Sequence, residues 1–112
     1  MSELVLYIEK EKFLRQTLEA VFKSRGAKIH TEESLTEYFY LLDDLSPARV
    51  VLDLNSVSME EVQKVMEMKK FKIILTGDSS KLALFSDPSI LKIAKPIVVL
   101  NIFEQIFELS RV

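Results

Sequence analysis

Five short apolar runs, each followed by a stretch of different periodicity, constrain this chain more than any other feature. Residues 4–8 (Leu-Val-Leu-Tyr-Ile) are continuously apolar, as in a strand buried on both faces. Over residues 11–25 the spacing changes to threes and fours, with Phe13, Leu14, Leu18, Val21 and Phe22 on one predicted helix face. Gly26 stands where a glycine commonly ends a helix. Residues 27–31 read as a weaker strand centred on Ile29. Residues 35–45 predict a second helix with Leu35, Phe39, Leu42 and Leu45 inward, capped by Ser34 and boxed by Glu37. Tyr38, Phe39 and Tyr40 are consecutive there, so one ring must face outward. Ser46-Pro47 breaks the pattern.

The alternation continues. Residues 50–54 (Val-Val-Leu-Asp-Leu) form the third apolar run. Ser58 and Glu61 have capping-box spacing at the head of a helix over residues 58–69, with Val62, Val65, Met66 and Lys69 on one face. Residues 72–75 predict a strand ending at Thr76-Gly77, and residues 81–85 a short helix. Residues 90–94 predict the last strand, ended by Lys95-Pro96. Residues 98–109 predict the last helix, with Val99, Ile102, Phe103, Ile106 and Phe107 inward. Five strands alternating with five helices imply a doubly wound parallel sheet of the α/β class, (βα)5. We expect residues 1–112 to form a single domain.

Composition removes most chemistries from that frame. The absence of cysteine excludes disulfides, thiolate catalysis and cysteine-ligated zinc, and a lone His30 excludes multi-histidine metal sites. His30 itself reads as a surface residue of the second strand, and the lysine-rich run over residues 64–72 as a solvated helix end. Two glycines, Gly26 and Gly77, cannot build a phosphate loop. A net charge of -2 gives no basis for nucleic-acid binding. No apolar run is long enough to span a membrane and no secretory signal is visible, so a cytoplasmic protein without membrane contact is expected.

In parallel α/β sheets, ligands bind at the carboxyl ends of the strands, near a topological switch point. The polar residues there are Glu9-Lys10-Glu11 after the first strand, Asp53 in the third, Thr76 after the fourth and Lys95 after the fifth. Asp53 interrupts an apolar run, so its carboxylate needs a partner or an exposed cleft.

With these residues in view, the chain resembles the receiver domain of two-component response regulators. Val51-Leu52-Asp53-Leu54 is similar to the phosphoacceptor segment, Leu75-Thr76-Gly77 to the threonine and its small neighbour, and Ala94-Lys95-Pro96 to the Lys-Pro that follows the fifth strand. The resemblance spans essentially the whole chain. It implies a flavodoxin-like (βα)5 fold and a non-enzymatic signalling role. Asp53 would be the phosphoacceptor, Lys95 the cation on the phosphoryl oxygens and Thr76 the hydroxyl that follows them. Gly77 would leave room for a phosphodonor. It also implies Mg²⁺ at Glu9, Asp53 and the backbone carbonyl of Asn55, and a Lys95–Pro96 bond that is usually cis.

Several residues depart from the family's pattern. Alignment places Glu9 at the first acidic position and Lys10 at the second, where a carboxylate usually binds Mg²⁺. An ammonium repels that ion. Either Lys10 turns outward, leaving Glu9 or Glu11 for a weakly held metal, or it reaches Asp53 as a permanent cation. A one-residue slip would instead put Glu9 at the second position. Val57 and Glu61 stand where proline and glycine are common, and Lys92 replaces the aromatic residue of the switch position.

Three functions follow. The first is a receiver-like signalling domain phosphorylated at Asp53 by a sensor kinase. The second is a receiver-fold interaction module that no longer uses phosphate. The third, a small phosphohydrolase similar to haloacid dehalogenases, lacks the second aspartate of that family, since Asn55 stands there. The first two act by binding other signalling proteins. The apolar run at Ile97, Val98 and Leu100 is a candidate partner surface, and a homodimer through the fourth helix, fifth strand and fifth helix is implied by the resemblance. The predicted last helix runs nearly to the end of the sequence, so an attached output segment is not expected.

Overall fold

The computed structural model describes residues 3–108. In chain order the elements are β1 (Leu4–Ile8), α1 (Lys12–Ser24), β2 (Lys28–Glu32), α2 (Leu41–Asp44), β3 (Arg49–Asp53), α3 (Met59–Met68), β4 (Lys72–Gly77), α4 (Ser79–Leu82), β5 (Leu91–Ala94) and α5 (Val99–Glu108). The five strands form one parallel sheet in the order β2-β1-β3-β4-β5. The order reverses between β1 and β3, which makes the crevice between their carboxyl ends the switch point.

Alternation along the strands builds two cores. Leu6, Ile8, Val50, Leu52 and Leu75 face one way and pack against Leu35, Leu42, Val62, Val65 and Leu82. Val5, Tyr7, Val51, Ile74 and Ile93 face the other way, against Leu18 and Phe22 of α1 and Ile102 and Ile106 of α5. That second core is closed by an aromatic cluster, with Phe103 4.7 Å from Phe107 and 5.3 Å from Phe22 between ring centroids. Both faces of the sheet are covered, which is why the strands read as continuous apolar runs.

Most element ends follow their sequence signals. Gly26, at φ +72°, ends α1 with the paired hydrogen bonds of a Schellman motif, Ala27 N to Phe22 O and Gly26 N to Lys23 O. Ser58 and Glu61 form the reciprocal capping box of α3. The inward face of α5 is as expected, while Leu109 of its predicted end lies outside the described residues. Lys69 does not join the α3 core face; it is the exposed C-cap, at φ +53°.

Two expectations fail for local reasons. Phe13 is 75% exposed. The buried stripe of α1 runs through Leu14, Leu18 and Phe22, and Phe13 falls on the flank it shares with Thr17 and Ala20. The second helix is broken into a 3₁₀ turn, Thr36–Tyr38, and the single turn of α2. Three consecutive aromatic residues are weak helix formers, and Asp43 and Asp44 would have faced the negative pole of a helix over residues 35–45. The Ser34–Glu37 box therefore does not form; the turn starts at Leu35 without a side-chain cap. Leu35 and Leu42 are nevertheless buried, Phe39 and Leu45 pack against them, and Tyr40 is the outward ring.

Candidate functional site

The period-two alternation of the strands decides which polar residues meet. Glu9 lies two positions past Tyr7, Asp53 two past Val51, Thr76 two past Ile74 and Lys95 two past Ile93. All four therefore continue the α1/α5 side of the sheet past its carboxyl edge. Register places Asp53 directly beside Thr76.

The Lys95 ammonium lies between two carboxylates, 2.8 Å from Glu9 Oε1 and 2.9 Å from Asp53 Oδ1. Thr76 Oγ1 donates to Asp53 Oδ1 at 3.3 Å, and the Ser56 hydroxyl donates to Asp53 Oδ2 at 2.6 Å. The Glu11 backbone N–H donates to Glu9 Oε2 at 3.1 Å. Asp53 and Thr76 have no exposed surface, and Glu9 has 1%. Burial works against the charge on Lys95, but the hydrogen bonds and charges of Glu9 and Asp53 outweigh it and hold the ammonium above the usual lysine range.

Local backbone hydrogen bonds set this geometry. Ser56 and Val57 both donate their N–H groups to the Asp53 carbonyl, which folds the chain back and brings the Ser56 side chain under the carboxylate. Lys95 N donates to Gly77 O, and the Lys95–Pro96 bond is cis. Gly77, at φ +152°, packs against Leu54, where a Cβ would lie 3.2 Å from Leu54 Cβ. Its smallness thus serves the approach of the loop after β3.

The side chains of other residues singled out from sequence make no described hydrogen bond or ion pair to the two carboxylates. Lys10 is exposed, and among the described residues Lys95 is the ion-pair partner of Asp53. Of the two orientations considered for Lys10, the structure has the outward one. Its backbone is used instead: the N–H donates to Ser56 Oγ, and its carbonyl, with that of Glu9, accepts from the Arg15 guanidinium. The Asn55 side-chain oxygen accepts from the Lys81 ammonium. Lys92 is tied to the Phe85 carbonyl, away from Thr76. Ile97 is partly buried against the α1/α5 core, whereas Val98 and Leu100 are 57% and 74% exposed.

Mg²⁺ requires near-octahedral oxygen ligation, commonly from one or two carboxylates plus water or phosphate oxygens. Here each oxygen of Glu9 and Asp53 already accepts from a protein donor, and an ammonium sits between the two groups. Among the described residues no group of three or more His, Cys, Asp or Glu side chains is placed to hold a metal. The arrangement as it stands does not fit that ion.

Two participants escaped the sequence reading, Ser56 and Tyr7. Among the described residues the buried Tyr7 hydroxyl has no partner at full hydrogen-bond geometry, and its pKa is pushed well up by burial and by the negative charges of Glu9 and Asp53, against a weaker opposing pull from the nearby Thr76 hydroxyl. Its place two residues before Glu9 on β1 was the available signal.

Comparison with solved structures decides the fold. A response regulator from Thermotoga maritima superposes with a TM-score of 0.80 at 14% identity, covering 100% of both chains. A response regulator receiver protein from Sinorhizobium medicae gives 0.79 at 16% identity, covering 99% of this chain and 96% of that one. The fold is that of a response-regulator receiver domain. The same receiver fold occurs in a streptococcal protein described as one of a family of redox sensors evolved from two-component response regulators (TM-score 0.81, 15% identity), of which this chain spans about half, 52%. No protein-family model and no curated protein matches the sequence. Within the receiver fold, Asp53, Thr76 and Lys95 meet at the carboxyl edge of the sheet, and no helix among the described residues is long and apolar enough to cross a membrane.

Proposed function

We propose that this chain is a receiver-type signalling domain that acts by binding other proteins, with a carboxylate centre set by its own donors rather than by Mg²⁺ and phosphate. One observation carries this reading. Asp53 has no exposed surface, and both of its oxygens are engaged, by Lys95 and Thr76 on one side and Ser56 on the other. A carboxylate so held is satisfied without a metal, and it lies buried with a protein donor on each oxygen, which works against attack on a phosphodonor. Exposed Val98 and Leu100 on and beside α5, with Leu84 after α4, supply apolar surface for a protein partner or a second copy.

A second reading is favoured by the same cluster. An aspartate beside a hydroxyl and an ammonium is the set of groups that would stabilise charge developing on a transferred phosphoryl group. In that reading Asp53 accepts the phosphoryl group from a sensor kinase, and Thr76 and Lys95 bind its oxygens. Intact-mass measurement after incubation with acetyl phosphate, with and without Mg²⁺, separates the two. The unmodified mass under both conditions is expected. A gain of one phosphoryl group that disappears in Asp53→Asn would replace the first reading with the second.

A further inference from the structure

The loops after β1 and β3 are joined through one side chain. The Ser56 hydroxyl accepts the Lys10 backbone N–H at 2.8 Å and donates to Asp53 Oδ2 at 2.6 Å. A hydroxyl has a single proton, so with Lys10 N–H as the donor on one side that proton is committed to the carboxylate on the other. The relay runs from amide to hydroxyl to carboxylate, and its last bond is short and charge-assisted. The Asp53 carbonyl holds the turn in place by accepting from Ser56 N and Val57 N.

We propose that Ser56 is the positioning residue of this site: it bridges the two loops, fixes Asp53, and competes on Oδ2 with a divalent cation. This deepens the reading of a centre set by its own donors. It also moves the cause of metal exclusion. In the sequence, Lys10 is the conspicuous departure. In the structure its side chain is exposed, and a solvated ammonium is screened by salt over roughly 8 Å. The Ser56 bond is made to the carboxylate itself, where it takes up acceptor capacity of Oδ2 and competes with a cation for it. Lys10 contributes its amide to that bond, a role that any residue other than proline fills at position 10.

Hydrogen exchange at the Lys10 amide reads the bridge directly, whatever the phosphorylation state of Asp53. In Ser56→Ala the amide loses its acceptor and is expected to exchange about tenfold faster, while Ser56→Thr restores protection. Ser56→Cys keeps the volume with a weaker donor and acceptor, and gives the same reading if alanine loosens the fold. A Mg²⁺ titration followed by the amide resonances of residues 9–11 and 53–57 reads the exclusion. Lys10→Asp supplies the second carboxylate, and adding Ser56→Ala is expected to tighten Mg²⁺ binding about tenfold further, as removal of one charge-assisted competitor implies. Unchanged Lys10 protection in both Ser56→Ala and Ser56→Cys would overturn the bridge. Equal Mg²⁺ affinity in the two Lys10→Asp proteins, or no binding in either, would overturn the exclusion. Phosphorylation of Asp53 alongside a tenfold loss of Lys10 protection would refute the proposed function and leave the bridge standing.

Discussion

The Lys95 ammonium lies 2.9 Å from Asp53 Oδ1, and that carboxylate has no exposed surface. The same ammonium serves Glu9, which is 1% exposed. Among the described residues, two buried carboxylates thus share one cation. Removing one partner of a buried ion pair leaves an uncompensated charge, which costs more than the pair itself contributes. Lys95→Met is therefore expected to lower unfolding free energy by about 3 kcal/mol, measured by urea denaturation. Glu9→Gln and Asp53→Asn, added together to Lys95→Met, should recover part of that loss because neutral amides need no counter-charge. A triple variant no more stable than Lys95→Met would show that the cluster is held by packing instead.

Tyr7 places in the same core a hydroxyl that has, among the described residues, no partner at full hydrogen-bond geometry, only the nearby Thr76 hydroxyl. A buried, unsatisfied polar group is costly, and phenylalanine keeps the ring while removing the group. Tyr7→Phe is expected to raise stability by about 1 kcal/mol at neutral pH. The alkaline limb gives a second readout. Tyr7 is raised above its ordinary 10.0, by burial first and then by Glu9 and Asp53, and Lys95 is raised above 10.5. Groups whose folded pKa is raised contribute stability that is complete below the unfolded value and is lost as pH rises through the folded one. Wild-type stability should fall once pH passes 10.0, and Tyr7→Phe should fall less steeply, keeping the parts due to Lys95 and to Tyr38, which is also raised above 10.0, chiefly by Glu32. Identical alkaline limbs would contradict this.

Gly77 joins a backbone conformation at φ +152° to close contact with Leu54. Alanine there meets both obstacles, strained backbone and a Cβ 3.2 Å from Leu54 Cβ. Gly77→Ala is expected to destabilise by about 2 kcal/mol in thermal or urea unfolding. Trimming Leu54 to alanine would leave its Cβ, the nearest atom, in place, so the second change should not rescue the first. Wild-type stability in Gly77→Ala would refute the contact.

The strand ends were legible in the sequence because each polar residue closes a visible apolar run. Strand alternation then put Glu9, Asp53, Thr76 and Lys95 on one face without further information. Ser56 was not legible, because its role depends on how the chain turns after β3, through two N–H groups that both choose the Asp53 carbonyl. Tyr7 read as one more apolar strand residue, and only packing shows its hydroxyl beside charge. The direction of Lys10 likewise followed from Arg15, which fixes the loop by gripping the Glu9 and Lys10 carbonyls, a contact that spacing does not announce. The broken second helix shows the limit of spacing alone, since its core positions were right and its continuity was not.

Two sequence patterns of the same form, Ser34–Glu37 and Ser58–Glu61, differ in outcome, and that difference is measurable. At Ser58 both halves of the box are made, Glu61 N to Ser58 Oγ at 3.1 Å and Ser58 N to Glu61 Oε1 at 2.8 Å. At Ser34 no helix follows that needs the cap. Ser58→Ala is expected to cost about 1 kcal/mol, and Ser34→Ala less than about 0.5 kcal/mol. Burial works to raise the Glu61 pKa, but hydrogen bonds from the Ser58 backbone and the Thr36 hydroxyl, with Ser58 and Lys64, hold it below the usual 4.5. A carboxylate whose folded pKa is depressed contributes stability above its unfolded value and loses it as pH falls through the folded one. The penalty of Ser58→Ala should therefore shrink below pH 4.5, as the box loses its charge in both proteins. A penalty that stays constant through the acid range would assign it to the hydroxyl cap alone, and an equal cost at Ser34 would show that the first pattern forms a cap after all.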